Sequence, residues 1–330
     1  MLLFTPYAIL AALLIGYGGF WLVVRGAVEA AMDARAEALR SAGYTVELGA
    51  RSVEGFPFRM KISLTEARIA APGGWAVAAP GLTAEAYVHD PGHWVVVAPH
   101  GLTLNRPEGG GLAITGEALR ASIAGVNRTP WRIVLQGTKL VFTPAPGARP
   151  FSLSAADLLE VYLKPAPQGG DGMALFRLEG GKAAPETLLF SLAGPAAVTA
   201  TLNGVLTHTD AFHGRDWGEA VRAWAQAGGR IQTVQGIASA GQTTAKAHEG
   251  ELTVGADGRL AGVVPLQLTR ADKAFSSLAG AGKLDPAAAG SAAAVAAARA
   301  QGQTTALNLV FQAGAATVGP VRIGPSPKVG

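Results

Sequence analysis

Two polar clusters in the sequence contain residue types that bind metal ions. Both combine imidazoles with carboxylates, a set that can hold zinc. The clusters are His89, Asp90, His93 and His100, and His208, Asp210, His213 and Asp216. Pro91-Gly92 interrupts the first cluster, and neither has the HExxH spacing that places two imidazoles on one face of a helix. We therefore expect turn and helix-capping roles, with Asp216 as an N-cap, and neither a metal nor a cofactor.

Motifs for nucleophilic catalysis and for phosphate binding are incomplete in this chain. Ser239 lacks the glycine two positions earlier that a nucleophile elbow requires. Gly280-Ala-Gly-Lys283 is followed by Leu284, where a phosphate-binding loop needs Ser or Thr. The chain has no cysteine, which excludes disulfides, thiolate nucleophiles and thiolate zinc sites. We expect a protein that is not an enzyme; for the alternative, a hydrolase, the candidates to substitute are His93 and His213.

Composition limits the remaining classes of function. The chain has 330 residues, 49% hydrophobic and only 15% charged, with a formal net charge of +4. It is long enough to bury a large core. Its Lys and Arg residues are scattered and form no basic run, so we discount nucleic acid as a partner.

The N-terminal stretch from Leu2 to Val24 carries no charged side chain. As a helix it is long enough to cross a hydrocarbon core of roughly 30 Å. A cleaved signal usually has a positive start and a shorter apolar run, so residues 1–24 are better interpreted as an uncleaved transmembrane anchor. Arg25 follows the span and by the positive-inside rule favours a cytoplasmic body, but long domains are translocated largely regardless of such charges.

Residues 25–43 predict a helix that continues out of the membrane as a spacer. Val28, Met32 and Leu39 fall on one helical stripe, and Gly43 suits the left-handed position after a helix. A structural spacer is a simpler interpretation than a partner-binding helix.

Beyond Gly43 the hydrophobic period changes from that of a helix to that of a strand. Short alternating segments separated by Gly and Pro turns continue through most of residues 44–330, with helices expected near 216–227, 271–279 and 286–300. Residues 154–163 suit either a helix or a strand, and 188–192 predict a strand. The sequence therefore predicts a mainly β (α+β) protein: an N-terminal transmembrane helix, then a long curved antiparallel sheet with a few inserted helices. So many strands in one sheet favour curling or splitting into two layers.

One motif precedes the clearest of these strands. It consists of Gly55, Phe56, Pro57, Phe58 and Arg59. Proline cannot donate a ladder hydrogen bond and glycine permits a turn, so a structural corner is the favoured interpretation. Arg59 then has two possible partners, a lipid phosphate or water.

The strand after this corner suggests an apolar groove. Apolar residues alternate there with polar ones, as in a half-buried strand, and tryptophans suit places where one end is apolar and the other wet. The candidate groove residues are Phe58, Met60, Ile62, Leu64, Trp75 and Trp94. Burial in a closed core is the simpler interpretation for most of the tryptophans.

Several segments together resemble one known family. They are Gly55-Phe56-Pro57-Phe58-Arg59, Ala79-Pro80-Gly81-Leu82, Asp90-Pro91-Gly92-His93, Ala227-Gly228-Gly229, the segment from Gly255 to Gly262, and the segment from Val318 to Pro325. The chain resembles the domain of unknown function 2125 family of Gram-negative bacteria, over nearly its whole length. The resemblance implies an inner-membrane anchor, a periplasmic body and no assigned activity. The layout is also broadly similar to that of AsmA-like envelope proteins, in architecture only.

Two functions from different classes follow from these observations. In the first, the protein holds lipid or another hydrophobic envelope component on the apolar face of the sheet. In the second, that face is closed core and the protein is a scaffold that acts through its helix and polar surface on protein partners, whose identity the sequence does not indicate.

Overall fold

The computed structural model describes residues 5–125, 131–167, 169–282, 286–298 and 300–329. The mainly β prediction is confirmed, with a large sheet and a few helices. The helices are α1 (Thr5–Ser41), α2 (Leu188–Ala193), α3 (Trp217–Gln226), α4 (Ala271–Gly280) and α5 (Pro286–Ala298).

The strands follow one another along the chain. They are β1 (Thr45–Leu48), β2 (Arg51–Glu54), β3 (Arg59–Leu64), β4 (Ala67–Ala70), β5 (Ala76–Ala79), β6 (Leu82–Tyr87), β7 (Asp90–Val97), β8 (Leu102–Arg106), β9 (Gly110–Thr115), β10 (Ala118–Ala124), β11 (Arg132–Pro144), β12 (Leu153–Pro165), β13 (Gly172–Ala183), β14 (Val198–Leu206), β15 (Ile231–Ala240), β16 (Thr243–Val254), β17 (Leu260–Thr269), β18 (Ala300–Gln301), β19 (Thr304–Gln312), β20 (Ala315–Val318) and β21 (Val321–Pro325).

Helix α1 is one continuous helix of 37 residues. It takes in the predicted anchor, apart from residues 1–4, which lie outside the described residues, and most of the predicted spacer. Its inward stripe of Trp21, Val24, Val28 and Met32 recurs every three or four residues and packs against the first part of the sheet. The segment expected to act as a spacer therefore lies along the body.

The strands form one antiparallel meander in the described part of the chain. Each strand from β11 to β17 pairs with the next along the sequence, and β17 pairs with β19, which leads to β20 and β21. Neighbouring antiparallel strands can be joined by short connections, and the longer connections of this meander carry α2, α3, and the pair α4 and α5.

The first part of the meander consists of five long strands that are each broken once. The halves are β1 and β2, β3 and β4, β5 and β6, β7 and β8, and β9 and β10. Each half pairs with the matching half of the next strand, and β11 pairs with β10 along its first half and with β9 along its second. The breaks therefore form one crease across the sheet.

The breaks keep the apolar side chains on one side. In β9 the inward residues Leu112 and Ile114 have even numbers, whereas in β10 the inward residue Leu119 has an odd number, and all three belong to one core cluster. Because strand side chains alternate, an extra residue at the break is what preserves the face. Gly101 shows the local requirement: its φ is +78°, and a Cβ there would lie 2.6 Å from the Ile114 carbonyl oxygen.

The sequence-based prediction was ambiguous for one segment and wrong for another. Residues 154–163 lie in strand β12. The strand predicted at 188–192 is wrong, because Leu188–Ala193 is a helix whose first turn is capped by Thr187, which accepts a hydrogen bond from the Phe190 amide. The helices expected near 216–227, 271–279 and 286–300 correspond in position to α3, α4 and α5, with residue 299 outside the described residues.

Candidate functional site

One face of the sheet carries an unbroken row of apolar residues. Directly opposed residues on neighbouring strands share a face of the sheet, so the pairing register defines the row. We call it the apolar row; it runs through Ala84, Val96, Ala121, Leu135, Val161, Phe176, Leu202, Gly236, Ala247, Leu266 and Leu307.

The opposite face is mostly polar at the same level of the sheet. The paired residues there are Arg120, Gln136, Glu160, Arg177, Thr201, Ile237, Lys246 and Gln267. Glu160 is only 7% exposed, and its carboxylate accepts hydrogen bonds from Gln136 at 2.8 Å and from the Tyr162 hydroxyl at 3.1 Å. Burial and the bond to Glu160 raise the pKa of Tyr162. The sheet is therefore amphipathic in its central strands.

Helices cover both ends of the apolar face. At one end, α1 covers Met60 and Ile62, which are 2% and 4% exposed. At the other, Phe275 of α4 and Ala296 of α5 form a core cluster with Leu307. Each end of the apolar face is a closed core.

The middle of the row is more open. Leu135 and Leu202 are 44% and 39% exposed, and between them Val161 and Phe176 are only half-buried. These four residues sit on adjacent strands in direct register. We call them the open segment.

The predicted groove residues do not form one surface. Met60, Ile62 and Trp94 come together in the cluster beneath α1, whereas Phe58 is 70% exposed and Trp75 is 51% exposed. Trp75 lies after β4, on the far half of the broken strands from Phe58. The sixth, Leu64, ends β3 at the crease and is half-buried.

The corner between β2 and β3 is formed by the predicted motif and is joined to α1. Gly55 has φ +108°, and its carbonyl accepts the Arg59 amide at 2.9 Å. The Tyr17 hydroxyl donates to the Pro57 carbonyl at 2.7 Å, and the Trp21 indole N–H donates to the Arg59 carbonyl at 3.2 Å. The Arg59 guanidinium lies 3.4 Å from the Glu85 carboxylate.

Residues of the two polar clusters have local structural roles. Asp216 is the N-cap of α3 and accepts the Glu219 amide at 2.8 Å. In the first cluster, the His93 ring nitrogen lies 2.9 Å from the Ser122 hydroxyl. Across the described ranges, no group of three or more His, Asp or Glu side chains is arranged to hold a metal ion.

Comparison with known protein families assigns the chain to one of them. A family model described as an uncharacterized protein conserved in bacteria (DUF2125) matches residues 21–327. The chain belongs to the DUF2125 family. No curated protein and no solved structure matches it. The DUF2125 match begins at Trp21, so the stripe of α1 from Trp21 to Met32 that packs on the sheet lies inside the family region, whereas Tyr17 lies just before it.

The open segment could not be found from the sequence. Two of its residues alternate with polar neighbours, whereas Leu135 follows Val134 and Phe176 follows Leu175. What distinguishes these four residues is the register between strands and their incomplete burial, and neither property is local in sequence. The apolar residues of each strand were a signal for an apolar face, but not for an uncovered one.

Proposed function

We propose that this is a cell-envelope protein, anchored in the inner membrane by α1, whose periplasmic body binds lipid or another hydrophobic envelope component on the open segment. The observation that carries the proposal is the apolar row, which continues from one covered end to the other through residues that are exposed or only half-buried. An exposed, contiguous apolar patch rimmed by polar residues is typical of an interaction site.

The energetics suit an alkyl chain. Each methylene removed from water contributes about 0.8 kcal/mol. About ten methylenes laid on the open segment therefore give at most about 8 kcal/mol, because one side of the chain stays in water, before the entropy cost of binding is subtracted. The row offers no charged or hydrogen-bonding side chain that would demand a polar ligand group.

Properties of α1 support the anchor. It is the one helix in the described ranges that is long and apolar enough to cross a membrane. Leu13, Ile15 and Val23 are 65%, 76% and 70% exposed, unlike the side chains of a soluble core helix. Cleavage after the apolar stretch would also remove Trp21 and leave Met60 uncovered, which favours retention of the helix.

Photocrosslinking in cells tests lipid binding at the open segment. Cells that express the full chain are fed a fatty acid with a photoreactive group and an alkyne handle, and the adducts are mapped by mass spectrometry. We expect adducts on the inward residues of β11 to β14. The double variant Leu135→Asp/Leu202→Asp is expected to lose most of these adducts, because two carboxylates in the apolar row repel alkyl chains.

Ile237→Asp is the matched control. Ile237 is 44% exposed, as Leu135 is, but lies on the polar face. The Ile237→Asp variant should leave the adducts on β11 to β14 unchanged. If the double variant keeps its adducts, lipid binding on this face is wrong, and crosslinking to envelope proteins then tests the scaffold function instead.

A further inference from the structure

The corner between β2 and β3 forms an aromatic cluster with α1. The ring of Phe56 lies 5.8 Å from that of Trp21, edge to face, and 6.2 Å from that of Tyr17. With the hydrogen bonds from Tyr17 and Trp21 to the corner backbone, these contacts fix the corner against the helix. The corner and residues 17–21 of α1 form one unit.

The same unit presents apolar surface outward. Phe56 and Phe58 are 53% and 70% exposed, and Phe20 on the adjoining helix is 52% exposed. Leu22 and Val23 continue this surface along α1, at 60% and 70% exposed. The apolar surface of the corner is therefore continuous with the surface by which α1 would meet lipid.

The position of the first charge gives the depth of the corner. Arg25 is the first charged residue of the helix. At 1.5 Å per residue, Trp21 lies about 6 Å and Tyr17 about 12 Å from Arg25 on its apolar side. If Arg25 marks the headgroup level, a corner that contacts both residues lies within the interfacial layer or just below it. Tyr and Trp are enriched at that level of membrane proteins.

We propose that the corner from Phe56 to Phe58 is a second membrane contact, inserted into the same leaflet that α1 leaves. This inference rests on the anchor in the proposed function. The occupant of the exposed aromatic surface is the bilayer itself. Arg59 and Lys61 follow the corner, with side chains 59% and 44% exposed, and lie 3.4 Å and 3.9 Å from the Glu85 carboxylate. In an inserted corner, their exposed sides would face the lipid phosphates. Two attachments, unlike one helix, hold the sheet at a set angle to the membrane.

Site-specific labelling tests the insertion directly. The chain has no cysteine, so one introduced thiol carries the label alone. A Phe58→Cys variant of the full chain is labelled with an environment-sensitive fluorophore and reconstituted into phosphatidylethanolamine and phosphatidylglycerol vesicles. The vesicles carry a doxyl quencher near the headgroup end of the acyl chains. The emission should be quenched about twofold or more beyond that of an aqueous position, since such quenchers act only within the bilayer.

Two further positions make the result decisive. Trp75→Cys is the aqueous control. Trp75 is an aromatic residue that is 51% exposed and lies at the opposite end of the broken strand. Val23→Cys reports whether α1 itself is in lipid. Quenching at 23 and 58 but not at 75 supports the insertion. Quenching at 23 alone overturns the insertion and leaves the anchor intact, whereas no quenching at 23 overturns both.

Discussion

The two parts of the apolar face, the end beneath α1 and the open segment, both place apolar side chains on the inward face of antiparallel strands, but their surroundings differ. Met60 is 2% exposed and Leu135 is 44% exposed, yet each is an inward residue of an antiparallel strand. At Met60, α1 packs on the inward face of the sheet. At Leu135, no helix in the described part of the chain buries the side chain to a comparable degree. The apolar residues of a strand therefore indicate that it has an apolar face, but they do not show what covers that face.

This difference has a mechanical consequence for α1. A helix that only spans a membrane contributes nothing to the stability of the domain beyond it. Here Trp21, Val24, Val28 and Met32 fill the core of the first strands, so the helix and the body stabilise each other. Variants at the covered end should therefore destabilise the body, whereas variants of Leu135 or Leu202 should leave it folded and change only the proposed lipid binding.

The largest effect is expected for Trp21→Ala. The substitution removes a ring that is 6% exposed and its hydrogen bond to Arg59, and should lower the free energy of unfolding by about 3–5 kcal/mol. The shift in thermal midpoint of the full chain in detergent measures it. Leu22→Ala, 60% exposed, is the control and should cost less than about 1 kcal/mol. Equal effects would mean that α1 is not docked on the body.

The next largest effect is expected from a pair of substitutions that compares the two parts of the face directly. Met60→Ala should cost about 2–5 kcal/mol, because it leaves a cavity beneath α1. Leu135→Ala should cost less than about 1 kcal/mol, because its side chain is already partly in solvent. Paired thermal melts in the same detergent check both values. A large loss at Leu135 would indicate that the open segment is closed in the native protein.

The smallest effect concerns the ion pair that joins α1 to β2. Arg51 donates to Asp33 at 2.9 Å and lowers the pKa of that carboxyl below its ordinary value of 3.8. A lowered pKa stabilises the fold fully above the ordinary value, and this stabilisation is lost as the pH falls through the lowered value. Because Asp33 is exposed, the effect should be small. Asp33→Asn should reduce the thermal midpoint slightly at neutral pH and remove this part of the acid dependence.

Asp157→Asn is the matched control for that measurement. Asp157 accepts a hydrogen bond from Lys139 at 2.9 Å, which likewise lowers its pKa, but the pair lies within the sheet. Its loss should leave the association of α1 with the body unchanged, as read by protease protection of the segment around residue 33. Increased cleavage there in both variants would contradict a specific role for the Asp33 pair.

Local patterns predicted much of this fold. The apolar stretch, the period-two strands and the capping of α3 by Asp216 depend on neighbours in sequence. The strand predicted at 188–192 was wrong because a short, mostly apolar segment has no clear period. The Thr187 cap stabilises a helix there instead. The groove prediction joined Trp75 to Phe58 because sequence distance does not reveal the crease, which places them at opposite ends of a broken strand.

The register of the meander also sets a length. Strands in a sheet lie about 4.8 Å apart, so the six strands from Val96 to Leu202 cover about 24 Å along the row. One leaflet of a bilayer is about 15 Å deep in hydrocarbon. An acyl chain lying across the strands would thus fit within the row at full extension. Adding or removing a hairpin would change this reach in steps of two strands without altering the cross-section of the sheet.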